Sequence, residues 1–382
     1  MKNSSVINKI FILIIAILAF ILISRFLGVG PFASKIPKED ICNSIDEVSK
    51  HVSDYLESGQ EGMLTLYIKD VSEADLTKIN FYIDTMKGNI SNIRTSIYSA
   101  DLTKVELEVH RSDSSYVVDA VVRGKPIPEG KDSAIKLEKK VREILGSIIK
   151  PTMTDFDKEL AIHDYIVNNC KYGFFNDDSE REYNAYGVLI EGKAVCSGYA
   201  AAMDLLLECS GVESRFVVGY AESSQRSADS SGVEDNSSRK NIKADNHAWN
   251  QVKIDGIWYN VDATWDDPVG SGDSLSHMYF NIDDELMGMT HEWNREEYET
   301  CSSMGANYYG KTGTKFYNPN ELESYSDYYF TSHGKGMLEC QISGFDVDDN
   351  SLQFLFKING ITGASYSVME MGDYKILNLM VE

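Results

Sequence analysis

The chain has 382 residues, 43% hydrophobic and 25% charged, a composition that excludes global disorder and suits two or three domains. Its formal net charge is −23, with 36 Lys and Arg against 59 Asp and Glu. That field repels phosphate backbones and anionic headgroups at long range, and no block of basic residues offsets it, so nucleic acid is set aside as a partner.

Lys2 and Lys9 precede an unbroken apolar run from Ile10 to Ile23. Ser24 and Arg25 interrupt it, and Phe26, Leu27, Val29 and Phe32 extend it to spanning length if Arg25 snorkels. Gly28-Val29-Gly30 is the nearest thing to a small-x-small cleavage site, and Pro31 follows it directly. Residues 1–33 therefore read as a single-pass membrane anchor, with a cleaved secretion signal as the alternative. In either case the lysines hold the N-terminus in the cytoplasm and the rest of the chain lies outside the cell membrane.

Residues 36–128 read as a small α+β domain. Asp40–Leu56 and Asp70–Met86 have helical periodicity, while Met63–Ile68, Thr95–Tyr98, Val105–His110 and Tyr116–Val122 are strand-like. Gly124, Pro126, Pro128 and Gly130 mark a break. Residues 131–300 form the next domain. It opens with an amphipathic helix, Asp132–Ile149, stopped before Pro151. A second helix starts at Thr154, carries Asp155 and Asp157 in its first turn, and runs to Asn169. His163 on it reads as a packed histidine. Residues 222–245 carry seven serines and no apolar period, which predicts a surface loop inserted between two strands. Residues 305–382 read as β-rich, with Tyr308, Tyr309, Tyr317, Tyr325, Tyr328 and Tyr329 clustered near their start as core or interface material.

Six cysteines, at 42, 170, 196, 209, 301 and 340, show no CxxC pair and no metal spacing. Most read as small buried residues. Cys196 is different: Gly192 turns the chain, and Cys196 opens a helix containing Ala200, Ala201 and Ala202. Unpaired N–H groups and the positive dipole end at such a position favour a thiolate and a developing oxyanion.

Further on, His247–Ile254 and Ile257–Trp265 flank Asp255-Gly256, a two-residue hairpin signal. Ile254 then faces Ile257, Trp249 faces Asp262 and His247 faces Thr264. Side chains 247, 249, 262 and 264 share one face. His247 and Asp262 become diagonal neighbours, with Cα atoms about 7–8 Å apart, within reach of a His–carboxylate hydrogen bond. Val252, Ile254, Ile257, Tyr259 and Val261 are left to pack on the body of the protein. A base and its orienting acid are thus supplied, and Cys196 is the cysteine with an activating environment.

Residues 154–293 resemble the bacterial transglutaminase-like superfamily. The matching stretches are Ala185–Leu189, Ala194–Ala200, Asn246–Asn250, Trp258–Trp265 and Tyr279–Ile282, with His291 and Trp293 downstream. The resemblance implies an α+β, papain-like transglutaminase core: a helix bearing the cysteine, packed on an antiparallel sheet bearing His and Asp. It implies Cys196 as nucleophile, His247 as general base and acid, and Asp262 as orienter. Tyr186 matches a recurrent position and either assists an oxyanion or fills the core. Trp249 is a candidate cleft wall. Asp266-Asp267 reads as a turn before Pro268 rather than a calcium site, and no cofactor or metal is expected. The expected partner is a protein or peptide substrate, attacked at an amide through a thioester. Water as acceptor makes a peptidase or amidase, and an amine makes a cross-linker. The alternative is a non-catalytic cell-surface scaffold or binding protein on the same fold.

Overall fold

A computed structural model describes residues 36–58, 60–69, 88–99, 101–176, 181–222, 244–267 and 275–382. The expected membrane segment, the expected helix Asp70–Met86 and nearly all of the serine-rich loop lie outside the described residues. Among the described residues, no helix is long and apolar enough to cross a membrane. The chain divides into two compact units, 1–119 with 126–134, and 120–125 with 135–382.

In the first unit, strands β1 (Ile41–Cys42), β2 (Gly62–Lys69), β3 (Gly88–Ile97) and β4 (Leu102–Arg111) form a sheet in the order β1-β2-β4-β3. Helix α1 (Ile45–Glu57) is capped by Ser44, whose hydroxyl accepts the Glu47 N–H at 3.2 Å. Val48, Val52 and Leu56, spaced four apart, pack on Leu66, Ile68, Val105, Leu107 and Val109, spaced two apart, so helical and strand periods meet in one core.

The stretch Tyr116–Val122, read as a strand, belongs instead to helix α2 (Asp113–Val122). Val117 and Val118 are adjacent and both buried, which one face of a strand cannot achieve. Ser112 starts the helix by accepting the Ser115 N–H at 3.1 Å.

Helix α3 (Asp132–Ile148) buries Leu137, Val141 and Ile144 along one stripe. In the second unit, α4 (Asp155–Asn169) begins with a reciprocal cap between Thr154 and Asp157. The short strands β5 (Lys171–Tyr172) and β6 (Lys193–Ala194) pair in parallel just before α5 (Cys196–Ser210). Behind α5 stands a sheet in the order β10-β7-β8-β9, made of β7 (Ser214–Glu222), β8 (Ala244–Ile254), β9 (Ile257–Val261) and β10 (His291–Glu292).

The C-terminal stretch is not only strands. Helix α6 (Pro319–His333) sits among β11 (Lys315–Phe316), β12 (Gly336–Ile342), β13 (Ala364–Met371) and β14 (Tyr374–Val381). Asn318 caps it and Pro319 fills its first turn. Leu322, Tyr325, Tyr329 and Phe330 face the core at helical spacing, whereas Tyr328 and Tyr317 are exposed. Met371, Tyr374 and Ile376 share a core with Trp249, Tyr279, Ile282 and Trp293, so the C-terminal strands back the sheet that holds β7 and β8.

Candidate active site

The Asp255-Gly256 hairpin forms in the expected register, Ile254 with Ile257 and Asn250 with Val261. Asp255 (φ 52°) and Gly256 (φ 81°) both take the left-handed conformation that a tight two-residue turn needs. Both faces of the hairpin are covered. On one, Asn250 Nδ2 donates to the Ala200 carbonyl of α5 at 3.0 Å. On the other, Trp249 Nε1 donates to Asn260 Oδ1 at 3.3 Å. Ile257, expected to pack, is exposed because it flanks the turn.

The register carries His247 to Asp262. His247 Nε2 lies 2.6 Å from Asp262 Oδ2, and both side chains are buried. Asp262 Oδ1 accepts the N–H groups of Thr264 (2.9 Å) and Trp265 (3.2 Å), which fixes the carboxylate at the strand end. His247 also hydrogen-bonds Cys196, the first residue of α5. With Nε2 on Asp262, Nδ1 is the nitrogen left for the thiol. The three expected residues are therefore linked in one chain, Cys196–His247–Asp262.

Packing explains why Cys196 sits there. A Cβ on Gly198 would lie 2.4 Å from the Glu182 carbonyl oxygen and 2.7 Å from the Ala194 Cβ, so only glycine lets the start of α5 close on these neighbours. Val195 at the cap position provides no side-chain hydrogen bond. In the first turn, the Gly198 N–H donates to the Val195 carbonyl at 2.9 Å, which leaves the N–H groups of Cys196 and Ser197 for an anionic oxygen.

Electrostatics separates Cys196 from the other cysteines, all of which are free thiols. Burial pushes Cys42 and Cys170 to about 11 and Cys209 to about 12, and Cys301 and Cys340 higher still. Burial acts on Cys196 too, but the hydrogen bond and charge of His247, with a hydrogen bond from the Ala248 backbone, outweigh it and hold the thiol below its ordinary value. His247 moves the other way. Burial disfavours its charged form, yet Asp262 and Cys196 raise it to about 10. Asp262 stays well below the usual carboxylate range against burial, held by His247 and His291. The arrangement shifts the pair towards thiolate and imidazolium.

His291 was noted in the sequence only as part of the family pattern. Its Nε2 lies 3.1 Å from Asp262 Oδ2, and its Nδ1 lies 2.9 Å from Thr290 Oγ1. Burial lowers its pKa, and the His247 charge adds to this, so it is a neutral donor to Asp262. His247, Asp262 and His291 are close enough together to suggest metal ligation. However, His247 and Asp262 are committed to the Cys196 thiol, and the outer nitrogen of His291 meets the Thr290 hydroxyl rather than a carboxylate.

The remaining candidates are placed as follows. Trp249 is 1% exposed, so it does not line an open cleft; it lies under His247, with ring centres 6.1 Å apart and planes 21° apart. Gly219 makes room for it, since a Cβ there would meet the indole at 2.8 Å. The half-buried Trp265 flanks His247 at 6.0 Å and His291 at 4.7 Å. Tyr186 is half-buried, and its hydroxyl accepts from Lys136 Nζ at 3.0 Å. Asp266 and Asp267 do more than turn the chain. Asp266 accepts the Tyr279 N–H at 2.9 Å, and Asp267 accepts the Tyr199 hydroxyl.

The profile of the Transglutaminase-like superfamily matches residues 142–263, a span that holds Cys196, His247 and Asp262. The chain is 26% identical over 155 residues to kyphoscoliosis peptidase of Homo sapiens, covering 39% of this chain and 21% of that one. It is 24% identical over 165 residues to the kyphoscoliosis peptidase of Mus musculus, covering 42% and 23%. The match thus spans about a fifth of those relatives' length. Among solved structures, the crystal structure of a TGase is similar with a TM-score of 0.29 at 14% identity, covering 66% of this chain and 58% of that one. Residues 142–263 thus match the transglutaminase-like superfamily, on an α+β fold in which a cysteine-bearing helix packs on an antiparallel sheet.

Proposed function

We propose that the chain is a cysteine acyl-transfer enzyme acting on amides of proteins or peptides. The observation that carries this reading is the buried Cys196–His247–Asp262 chain, in which the thiol is held low and the imidazole high. Cys196 thiolate attacks the amide carbonyl, and the N–H groups of Cys196 and Ser197 at the start of α5 receive the oxyanion. Protonated His247 delivers its proton to the departing amine or ammonia, leaving a thioester on Cys196. Asp262 keeps the imidazole oriented through both halves of the reaction. Water then releases an acid, or an amine forms a new amide. Lys2, Lys9 and the apolar run Ile10–Ile23 support an anchored protein with this domain outside the cell membrane.

The test is mass spectrometry of a glutamine-containing protein incubated with the full-length chain and a labelled primary amine. Label lost in Cys196→Ala identifies an amine acceptor. Cleavage or deamidation without label identifies water. No product, together with an alkylation rate at Cys196 no faster than at an ordinary thiol, would return the protein to a scaffold role.

A further inference from the structure

Away from the thiol, five ionisable side chains from four stretches of chain converge. His163 and Asp164 come from α4, Asp266 follows β9, His277 precedes Tyr279, and Glu339 comes from β12. His163 Nδ1 lies 3.1 Å and His277 Nε2 lies 3.0 Å from the same oxygen, Asp164 Oδ1. The donor atoms of these three residues all lie within 4.8 Å of one another. The outer nitrogens are also engaged: His163 Nε2 lies 3.2 Å from Asp266 Oδ2, and His277 Nδ1 lies 2.7 Å from Glu339 Oε2.

The outer carboxylates are themselves fixed acceptors. Asp266 Oδ1 takes the Tyr279 N–H, while Glu339 Oε1 takes the His277 N–H at 3.0 Å, the Tyr309 hydroxyl at 2.8 Å and the Ser276 hydroxyl at 3.2 Å. A neutral imidazole with its outer N–H on a carboxylate presents a bare lone pair at its inner nitrogen. Here two such lone pairs and a carboxylate oxygen would face one another. They repel unless positive charge lies among them. That charge comes from extra protons on the rings or on their outer carboxylates, or from one divalent cation in place of those protons.

We infer that His163 Nδ1, Asp164 and His277 Nε2 bind a divalent cation of the zinc class, with water in a fourth position. Metal-bound histidines ordinarily give their other N–H to a carboxylate, and both rings are oriented that way here. Two imidazoles on one tetrahedral ion have ring centres about 5 Å apart, from a metal–nitrogen bond of about 2.0–2.1 Å. The observed separation is 5.4 Å. Access is from one side: Asp164 is 35% exposed, while His163 and His277 are 0% and 5%. Tyr308 stacks on His277 with ring centres 3.6 Å apart. The ion ties α4 to the segment after β9 and, through Glu339, to the C-terminal sheet. Its role is structural, and it is separate from the thiol chemistry.

The test uses the full-length chain carrying Cys196→Ala, so that the catalytic thiol cannot capture metal. The chelator-stripped protein is titrated with Co²⁺ and then with Zn²⁺. One equivalent of cobalt with visible tetrahedral bands, displaced by one equivalent of zinc, is expected. Asp164→Asn and His277→Gln abolish it, Glu339→Gln weakens it roughly tenfold to a hundredfold, and His291→Gln leaves it intact. Histidine ¹⁵N spectra of the unsubstituted-site protein, which need no folded variant, then show two imidazoles changing on zinc addition. No stoichiometric cobalt uptake, with both rings doubly protonated and unmoved by zinc, overturns the site in favour of a metal-free ion network. Uptake lost in His291→Gln and kept in Asp164→Asn overturns it in favour of the thiol site.

Discussion

His291 Nε2 reaches Asp262 Oδ2 at 3.1 Å, on the same oxygen that His247 Nε2 approaches at 2.6 Å. One carboxylate oxygen thus serves two imidazoles of opposite character. His247 is the ring that charges, and His291 is the ring kept neutral by burial and by its neighbour's charge. His291 therefore acts on the chemistry through Asp262, as a positioning residue. Removing its N–H leaves the buried carboxylate one donor short. A hydrogen bond to a charged group contributes about 1.5–3 kcal/mol, so His291→Phe is expected to lower kcat/KM by roughly tenfold to a hundredfold. His291→Gln, which restores an N–H donor, should recover part of that loss. The Cys196 alkylation midpoint should move upward in the Phe variant, because a less well-held Asp262 supports the imidazolium less. Unchanged kinetics and midpoint in the Phe variant would leave His291 with a packing role only.

The ionisation of Cys196 makes a separate claim. Its thiol is held down by His247, against burial. The rate of iodoacetamide alkylation should rise with a midpoint well below the ordinary thiol value of about 8.5. In His247→Ala the support is gone while the burial remains, so the midpoint should rise above that value. Turnover should follow a bell. Its acid limb reports thiolate formation, and its alkaline limb falls as His247 loses its proton at about 10. The same shift has a stability sign. His247 binds its proton more tightly folded than unfolded, so its contribution is complete below about 6.5 and is lost as pH rises towards the folded value. An alkylation midpoint near that of free cysteine would remove the ion pair from the mechanism.

The thiol site was legible because local rules determine it. Asp255-Gly256 sets hairpin parity, and parity alone brings His247 to Asp262. Gly192 and the small residues after Cys196 mark a helix start that must pack closely. His291 was not legible as a partner, because a two-residue strand pairing with β7 supplies its position across more than sixty residues of chain. The His163 and His277 cluster is harder still: its members span α4 to β12, and no local pattern joins them. Tyr116–Val122 was misread, and the helix Pro319–His333 within the β-rich stretch was not singled out, for a different reason. Their β-branched and aromatic side chains favour strands in isolation, and tertiary burial at helical spacing overrides that preference.

Two glycines provide a matched pair for the packing at the nucleophile. At Gly198, an added methyl would approach the Glu182 carbonyl oxygen to 2.4 Å, a backbone atom that cannot swing aside. At Gly146, on α3, an added methyl meets nothing within 4 Å. Gly198→Ala should destabilise by about 1–3 kcal/mol through overpacking and should also displace Cys196, lowering activity beyond the loss of folded protein. Gly146→Ala should stabilise by about 0.5–1 kcal/mol by reducing the freedom of the unfolded chain. Melting temperatures of the two variants, with activity per folded molecule, check both. Equal behaviour of the two would mean that α5 does not depend on this close approach.

Glu159 has the opposite electrostatics to Asp262. It is fully buried, and burial raises its carboxyl to about 8, against the hydrogen bond from Asn281. Asn281 Nδ2 donates to Glu159 Oε2 at 2.8 Å, while Glu159 Oε1 and Asn281 Oδ1 have no partner. A proton on Oε1 supplies the donor this pair lacks, so the native state holds Glu159 neutral. The unfolded chain ionises it near its ordinary value of about 4.3. Between that value and about 8 the native state carries the extra proton, so stability falls as pH rises, by about 1.4 kcal/mol per pH unit at most from this group. Glu159→Gln keeps the shape and removes the titration. The variant should gain on the wild type steadily from pH 5 to 8, about as those two bounds require. Melting curves across that range decide it: parallel curves for the two proteins would mean that Glu159 is ionised in the fold, and that its neighbours stabilise the charge after all.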